Sequence, residues 1–106
     1  MTNYLFIESR GADARDAFDG ALAGALARDG AGVALLLLQN GAMSARRGAR
    51  VPQLDELTAA GVLVFADEFA LRERGIPRDR LRPGVEPVPI DIVIDRLLDG
   101  WHVIWH

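Results

Sequence analysis

VALLLLQNG, residues 33–41, is an apolar run of strand length stopped by turn-forming residues. Val33 to Leu38 carries no polar side chain, so neither face of the strand is built to meet water. A strand apolar on both faces belongs in a parallel sheet covered by helices rather than in a half-exposed antiparallel one.

The sequence on either side fits that reading. Tyr4 to Ile7 reads as a first strand. Ala12 to Arg28 reads as a helix with Phe18, Leu22, Ala25 and Leu26 on one face, ended by Gly30 and Gly32. Gly20 and Gly24 lie inside that helix, where they are expected to permit close packing on the sheet. Beyond the Gln39-Asn40-Gly41 turn comes a short segment with Arg46, Arg47 and Arg50. Pro52 starts a second helix that runs to Gly61. Val62 to Phe65 is the third strand, and Asp67 to Arg74 the third helix, stopped by Gly75 and Pro77. Arg78 to Leu81 adds a helical turn. Val85 to Val88 is a short fourth strand whose prolines place it at a sheet edge. Ile90 to Asp99 is the fourth helix, with Ile90, Val93, Ile94, Leu97 and Leu98 as its apolar stripe. Gly100 ends it, and Trp101 to Trp105 is the fifth strand.

The order βαβαβαβαβ predicts one three-layer α/β/α domain over residues 1–106, flavodoxin-like, with a five-stranded parallel sheet and right-handed crossovers. No internal repeat, low-complexity segment or linker interrupts it. Only four crossovers must cover two sheet faces. In the common doubly wound orders, three helices fall on one face and one on the other. The sparsely covered face leads us to expect a homo-oligomer.

Composition closes off several chemistries. The 106 residues are half apolar and include no cysteine, and all twelve basic residues are arginine. That excludes a thiolate nucleophile, a persulfide, a disulfide, a cysteine-ligated metal and a lysine Schiff base. The absence of lysine is most simply codon bias. A net charge of −3 argues against a dedicated nucleic-acid binder. The longest apolar run is far short of the roughly 20 residues of a membrane span. MTNYLFIES has neither a basic start nor a cleavage-site pattern, so a cytoplasmic protein is expected. Neither a Walker A run nor Gly-x-Gly-x-x-Gly is present, and no cofactor is expected.

In an open parallel sheet, ligands bind at the carboxyl ends of the strands. Glu8, Ser9 and Arg10 follow the first strand, Gln39, Asn40 and Gly41 the second, Asp67 and Glu68 the third, and His106 the fifth. Gln39, Asn40 and Gly41 could offer an amide edge and backbone N–H groups to an anion, although Asn-Gly is also an ordinary turn. Arg46 and Arg47 could clamp a phosphate or carboxylate, or form a solvated face or an intersubunit ion pair. Asp67 suits a helix N-cap, with general-base work as the alternative. The mixed signs of residues 72–82 read as a surface laced with ion pairs. His102 and His106 share a strand face but stand roughly 13 Å apart, too far to hold one ion within a chain. Subunits meeting about an axis could still bring His106 side chains together. Ser9, His106 and Asp67 could meet as a triad, but no Gly-x-Ser-x-Gly elbow supports it. Trp101 and Trp105 share the opposite face, as core or interface packing.

VLVFADEFALRERGI, Val62 to Ile76, resembles the third strand and helix of the DsrE/DsrF-like sulfur-relay family. LLLLQNGA at Leu35 to Ala42 resembles its second strand and following loop. Arg82-Pro83-Gly84-Val85 resembles its connection to strand four. Ile90-Asp91, Leu97 to Gly100 and Val103-Ile104-Trp105 resemble its closing helix and strand, so the resemblance covers nearly the whole chain. It implies a three-layer domain that assembles as homo- or hetero-trimers and hexamers. It also implies a persulfide-carrying cysteine just after strand three, a place that falls at Asp67, with Ala66 beside it. Neither residue can carry sulfur.

These readings lead us to expect a non-catalytic, DsrE-like small-ligand-binding or assembly subunit, with Ser9, Gln39, Asn40, Gly41, Arg46 and Asp67 lining a ligand cleft. Its expected partners are copies of itself, sulfur-relay proteins and a small anion, with no metal, nucleic acid or membrane. The alternatives are a small hydrolase or isomerase with Asp67 as base, and a purely structural homo-oligomer.

Overall fold

The computed structural model describes residues 2–10 and 20–105. Its strands are β1 (Asn3–Glu8), β2 (Gly32–Leu37), β3 (Leu63–Asp67), β4 (Val85–Val88) and β5 (His102–Trp105). They form one parallel sheet in the order β4-β3-β2-β1-β5. The helices are α1 (Gly20–Arg28), α2 (Pro52–Ala59), α3 (Glu68–Glu73) and α4 (Asp91–Leu98). Two 3₁₀ segments, Gln39–Ala45 and Arg78–Arg80, complete the described elements.

The register explains why an all-apolar β2 is tolerated. Ile104, Phe6, Leu35, Val64 and Val85 form one row across all five strands. Most of that row packs in a core with Ala23 of α1, Leu54 and Leu57 of α2, and Ala70 and Leu71 of α3. On the other face Leu5, Ile7, Ala34, Leu36 and Phe65 pack with Ile92 and Val93 of α4, and with Trp101 and Val103. Three helices therefore serve one face and one serves the other, as right-handed crossovers in this strand order require. At the far edge, Pro87 interrupts β4, which has only β3 as a neighbour.

The sparsely covered face differs from expectation. Leu5, Ile7, Ala34 and Leu36 are fully buried, so α4 and its surroundings do close the middle of the sheet. Exposure moves instead to the margins, at Leu63 and Trp105, and to the outer side of α4. The stripe read from sequence faces mostly outward: Ile90, Ile94, Leu97 and Leu98 are exposed, and only Val93 turns inward beside Ile92 and Arg96. The guanidinium of Arg96 lies 5.0 Å from the centre of the Trp101 ring. That cation–π contact helps set the helix's rotation. Gly100, at φ +85°, makes the sharp exit, and the Trp101 N–H then donates to the Arg96 carbonyl at 2.9 Å.

The α1 reading needs a similar adjustment. Ala23 is buried and Leu26 half-buried, whereas Ala25 is exposed. Phe18 lies outside the described residues. A side chain at Gly24 would meet the Arg28 guanidinium of the same helix, not the sheet.

Candidate functional site

The carboxyl end of the sheet is organised by what β1 and β2 do as they finish. The Leu38 N–H donates to the Glu8 carbonyl at 2.8 Å, extending the parallel ladder by one step. Gln39 then turns the chain with φ +50°, and residues 39–45 wind into a 3₁₀ segment. Gly41 seats that segment against β1. A β-carbon there would collide with the Glu8 carbonyl, so only glycine allows the approach. Its N–H donates to the Leu38 carbonyl at 2.9 Å and is thus committed within the fold rather than offered to a ligand.

From this seat the chain reaches the arginines. The Arg46 Nε donates to the Met43 carbonyl at 2.8 Å. An isolated antiparallel bridge joins Arg46 to Leu81, and the Arg47 N–H donates to the Arg80 carbonyl at 2.7 Å. The segment after β2 and the 3₁₀ turn after α3 are thereby tied side by side. Arg82 clasps the same junction. Its N–H donates to the Ala45 carbonyl, and its Nη1 makes long contacts to the Ser44 and Ala49 carbonyls. Its Nη2 meets Asp55 Oδ1 of α2 at 2.7 Å.

Arg74 comes in from the end of α3. Its Nη2 donates to Asn40 Oδ1 at 3.0 Å and its Nη1 to the Ala70 carbonyl at 3.2 Å. These pieces border an open pocket of about 410 Å³ lined by Arg46, Arg47, Arg74 and Arg80 with Met43, Gly75, Ile76 and Pro77. A second hollow of about 320 Å³ lies across Ile76 and Pro77, between Glu68, Arg72, Arg78 and Pro87.

Asp67 has a different task. It is 4% exposed, and its Oδ2 accepts the Ala70 N–H at 3.0 Å as the N-cap of α3. The carboxylate is turned into the first turn of its own helix, not toward the arginine pocket. Glu8, also buried, accepts the Arg10 N–H at 2.7 Å. Ser9 is half-buried beyond β1, and Gln39 is exposed.

Of the residues expected from sequence, the structure places Arg46 in the pocket wall and Asn40 behind it as a partner of Arg74, and it leaves Ser9, Gln39, Gly41 and Asp67 out of the wall. Arg74 and Arg80 were the residues missed by sequence reasoning. They sit in a stretch read as ion-paired surface, and only Arg82 fits that description well. A usable signal was the return of arginine at positions 72, 74, 78, 80 and 82, in the segment that follows the third strand.

His106 lies outside the described residues, so its metal reading and the Ser9–His106–Asp67 triad lie there too. His102 stacks on Tyr4 of β1, with ring centres 5.5 Å apart. Among the described residues no three His, Asp or Glu side chains group as metal ligands. No helix among them is long and apolar enough to cross a membrane. The arrangement is suited to holding anions by charge and N–H donation.

No family model and no curated protein matches the sequence. Solved structures do match it. The ychN protein from E. coli superposes with a TM-score of 0.88 at 20% identity, covering the whole of both chains. A protein of unknown function from Methanobacterium thermoautotrophicum, MTH1491, gives 0.80 at 22% identity, again over both whole chains. The conserved protein of unknown function BT1422 from Bacteroides thetaiotaomicron gives 0.81 at 13% identity, covering 98% of this chain and 94% of its own. At these identities the likeness shows a shared fold, and two of the three neighbours are themselves described as of unknown function.

Proposed function

We propose that this chain is a non-catalytic assembly subunit, a homo-oligomer of DsrE-like architecture that cannot itself carry a persulfide. The observation that carries the reading is the outer side of α4. Ile94 and Leu97 are more than half exposed and Leu98 is 81% exposed, with Trp105 and Leu63 at the sheet margins. Scattered apolar residues are normal on a surface, but three on one short helix, with the exposed Ile90 at its start, are what a subunit contact uses. A second copy is the natural occupant, because the resemblance of Val62 to Ile76 and of the closing helix and strand implies trimers or hexamers. The missing cysteine leaves such a subunit the scaffold without the sulfur chemistry, and sulfur-relay proteins are candidate partners in a cytoplasmic setting.

Light scattering after size exclusion tests this at micromolar concentration. Wild-type protein is expected at a mass of three or six chains, and Ile94→Glu with Leu97→Glu at one. A monomeric wild type, or an unchanged mass in the variant, overturns the reading.

A second reading, a small anion held near the carboxyl ends of β2 and β3, is favoured by Asn40 steering Arg74 toward the same pocket as Arg46. Of the cleft expected from sequence, it keeps Asn40 and Arg46.

A further inference from the structure

We infer that the pocket between the two 3₁₀ segments is a binding site for a small molecule bearing a diphosphate or two phosphoryl groups. Its holders would be Arg46, Arg47, Arg74 and Arg80. The inference rests on the anion-binding reading and sharpens it to a ligand class.

Charge is the first argument. Four arginines line one pocket, and among the described residues no carboxylate stands in its wall. This happens in a chain with an excess of acidic residues, fifteen against twelve. Yet the described acids are absent from its lining. Arg82, outside the pocket, has Asp55 at 2.7 Å. Among the described residues Arg46, Arg47 and Arg80 have no ion-pair partner, and Arg74 has only the exposed Glu73 at 4.0 Å. Grouping like charges raises the free energy of the fold unless something neutralises them. A single carboxylate or sulfate answers only part of that charge. Two linked phosphoryl groups match it more nearly.

Geometry is the second argument. Two of the four guanidiniums are held in place. Arg74 is braced at both Nη atoms by Asn40 and the Ala70 carbonyl. Arg46 is anchored through Nε, which leaves its two Nη groups as a fork. The backbones of Arg47 and Arg80 are tied together by the Arg47 N–H to Arg80 carbonyl bond, and both residues are exposed. The held forks of Arg46 and Arg74 suit the bidentate recognition of phosphate oxygens. The third argument is the rest of the wall. Met43, Gly75, Ile76 and Pro77 are uncharged, and about 410 Å³ falls in the range of small-molecule sites. An organic group attached to the phosphates therefore has an apolar surface to lie on.

Titration calorimetry at constant ionic strength tests the site, with pyrophosphate as probe and orthophosphate and sulfate as comparisons. Pyrophosphate is expected to bind at least about tenfold more tightly than either. Arg47→Gln with Arg80→Gln should weaken pyrophosphate at least about tenfold, while Arg50→Gln, exposed and outside the pocket wall, should not. Arg74→Lys keeps the charge but loses the fork, and should weaken pyrophosphate more than sulfate. Equal binding of pyrophosphate, orthophosphate and sulfate overturns the diphosphate class while leaving a general anion site. No binding of any of the three overturns both. An equal loss in Arg50→Gln also overturns the pocket, since it would mean diffuse charge. So would a short single-stranded RNA that binds more tightly than pyrophosphate and is weakened equally by all of these variants. Circular dichroism of each variant separates a lost site from a lost fold.

Discussion

At residue scale, Asp67 shows how one position carries two readings. The resemblance to DsrE-like proteins implies a sulfur-carrying residue at this place, and the sequence offers a general base as the alternative. Its carboxylate accepts the Ala70 N–H, buried at the start of α3. A cap accounts for an aspartate here without any reaction. Removing it in Asp67→Ala should cost about 1 kcal/mol, read as a melting midpoint lowered by roughly 4–8 °C. Asp67→Asn keeps an accepting oxygen and should lie close to wild type. An alanine variant that melts with wild type would mean that the cap contributes nothing and would reopen the search for a role. The Asn-Gly pair was legible as a turn, but Gly41's reason was not. A turn motif shows that the backbone bends, not that it will rest on the carbonyl of Glu8 in another strand.

Among the elements, the strands were the most legible. Their apolar runs are bounded by turn residues, and burial on both faces erases ambiguity over which side faces inward. Helix α4 was legible in extent but not in rotation. Its apolar residues are numerous enough to suggest two different buried stripes, and periodicity alone cannot choose between them. Ile92, Val93 and Arg96 won the sheet side, because Arg96 can lay its guanidinium over Trp101 while its stem packs. The arginine pocket was hidden for a related reason. Its two halves come from residues 46–47 and 74–80, joined by an antiparallel bridge that no local pattern announces. Arg82 is the clasp of that junction, and its side chain is largely buried against carbonyls of the first 3₁₀ segment and the chain beyond it. The Asp55 partner is mostly exposed, so the ion pair itself is well screened. Arg82→Ala should cost about 1 kcal/mol of unfolding free energy in urea. It should also weaken pyrophosphate, although Arg82 touches no part of the pocket wall. Unchanged affinity in a destabilised Arg82→Ala would show that the arginine forks hold their places without the clasp.

For the molecule as a whole, the two sheet faces are closed in different ways. The face under α1, α2 and α3 is closed within the chain, and its loops build the arginine pocket. The α4 face buries the middle of the sheet but leaves its own outer surface apolar. An oligomer formed there would complete the second layer without covering the pocket wall, which comes from the segments around α3. Hydrogen exchange can separate these contributions, because amides open with local rather than uniform free energies. Amides of β1 and β2, paired on both sides, should exchange slowest whatever the concentration. Those of α4 and the β5 edge should exchange faster on dilution through the dissociation range, while β4, at the opposite edge, should not respond. Saturating pyrophosphate should instead slow residues 43–47 and 74–80, with no dependence on protein concentration. Dilution that speeds β4 as much as α4 would place the subunit contact at the other edge of the sheet. Protection of α4 by pyrophosphate would mean that the two faces communicate through the five-stranded sheet they share, instead of working independently as their separate cores require.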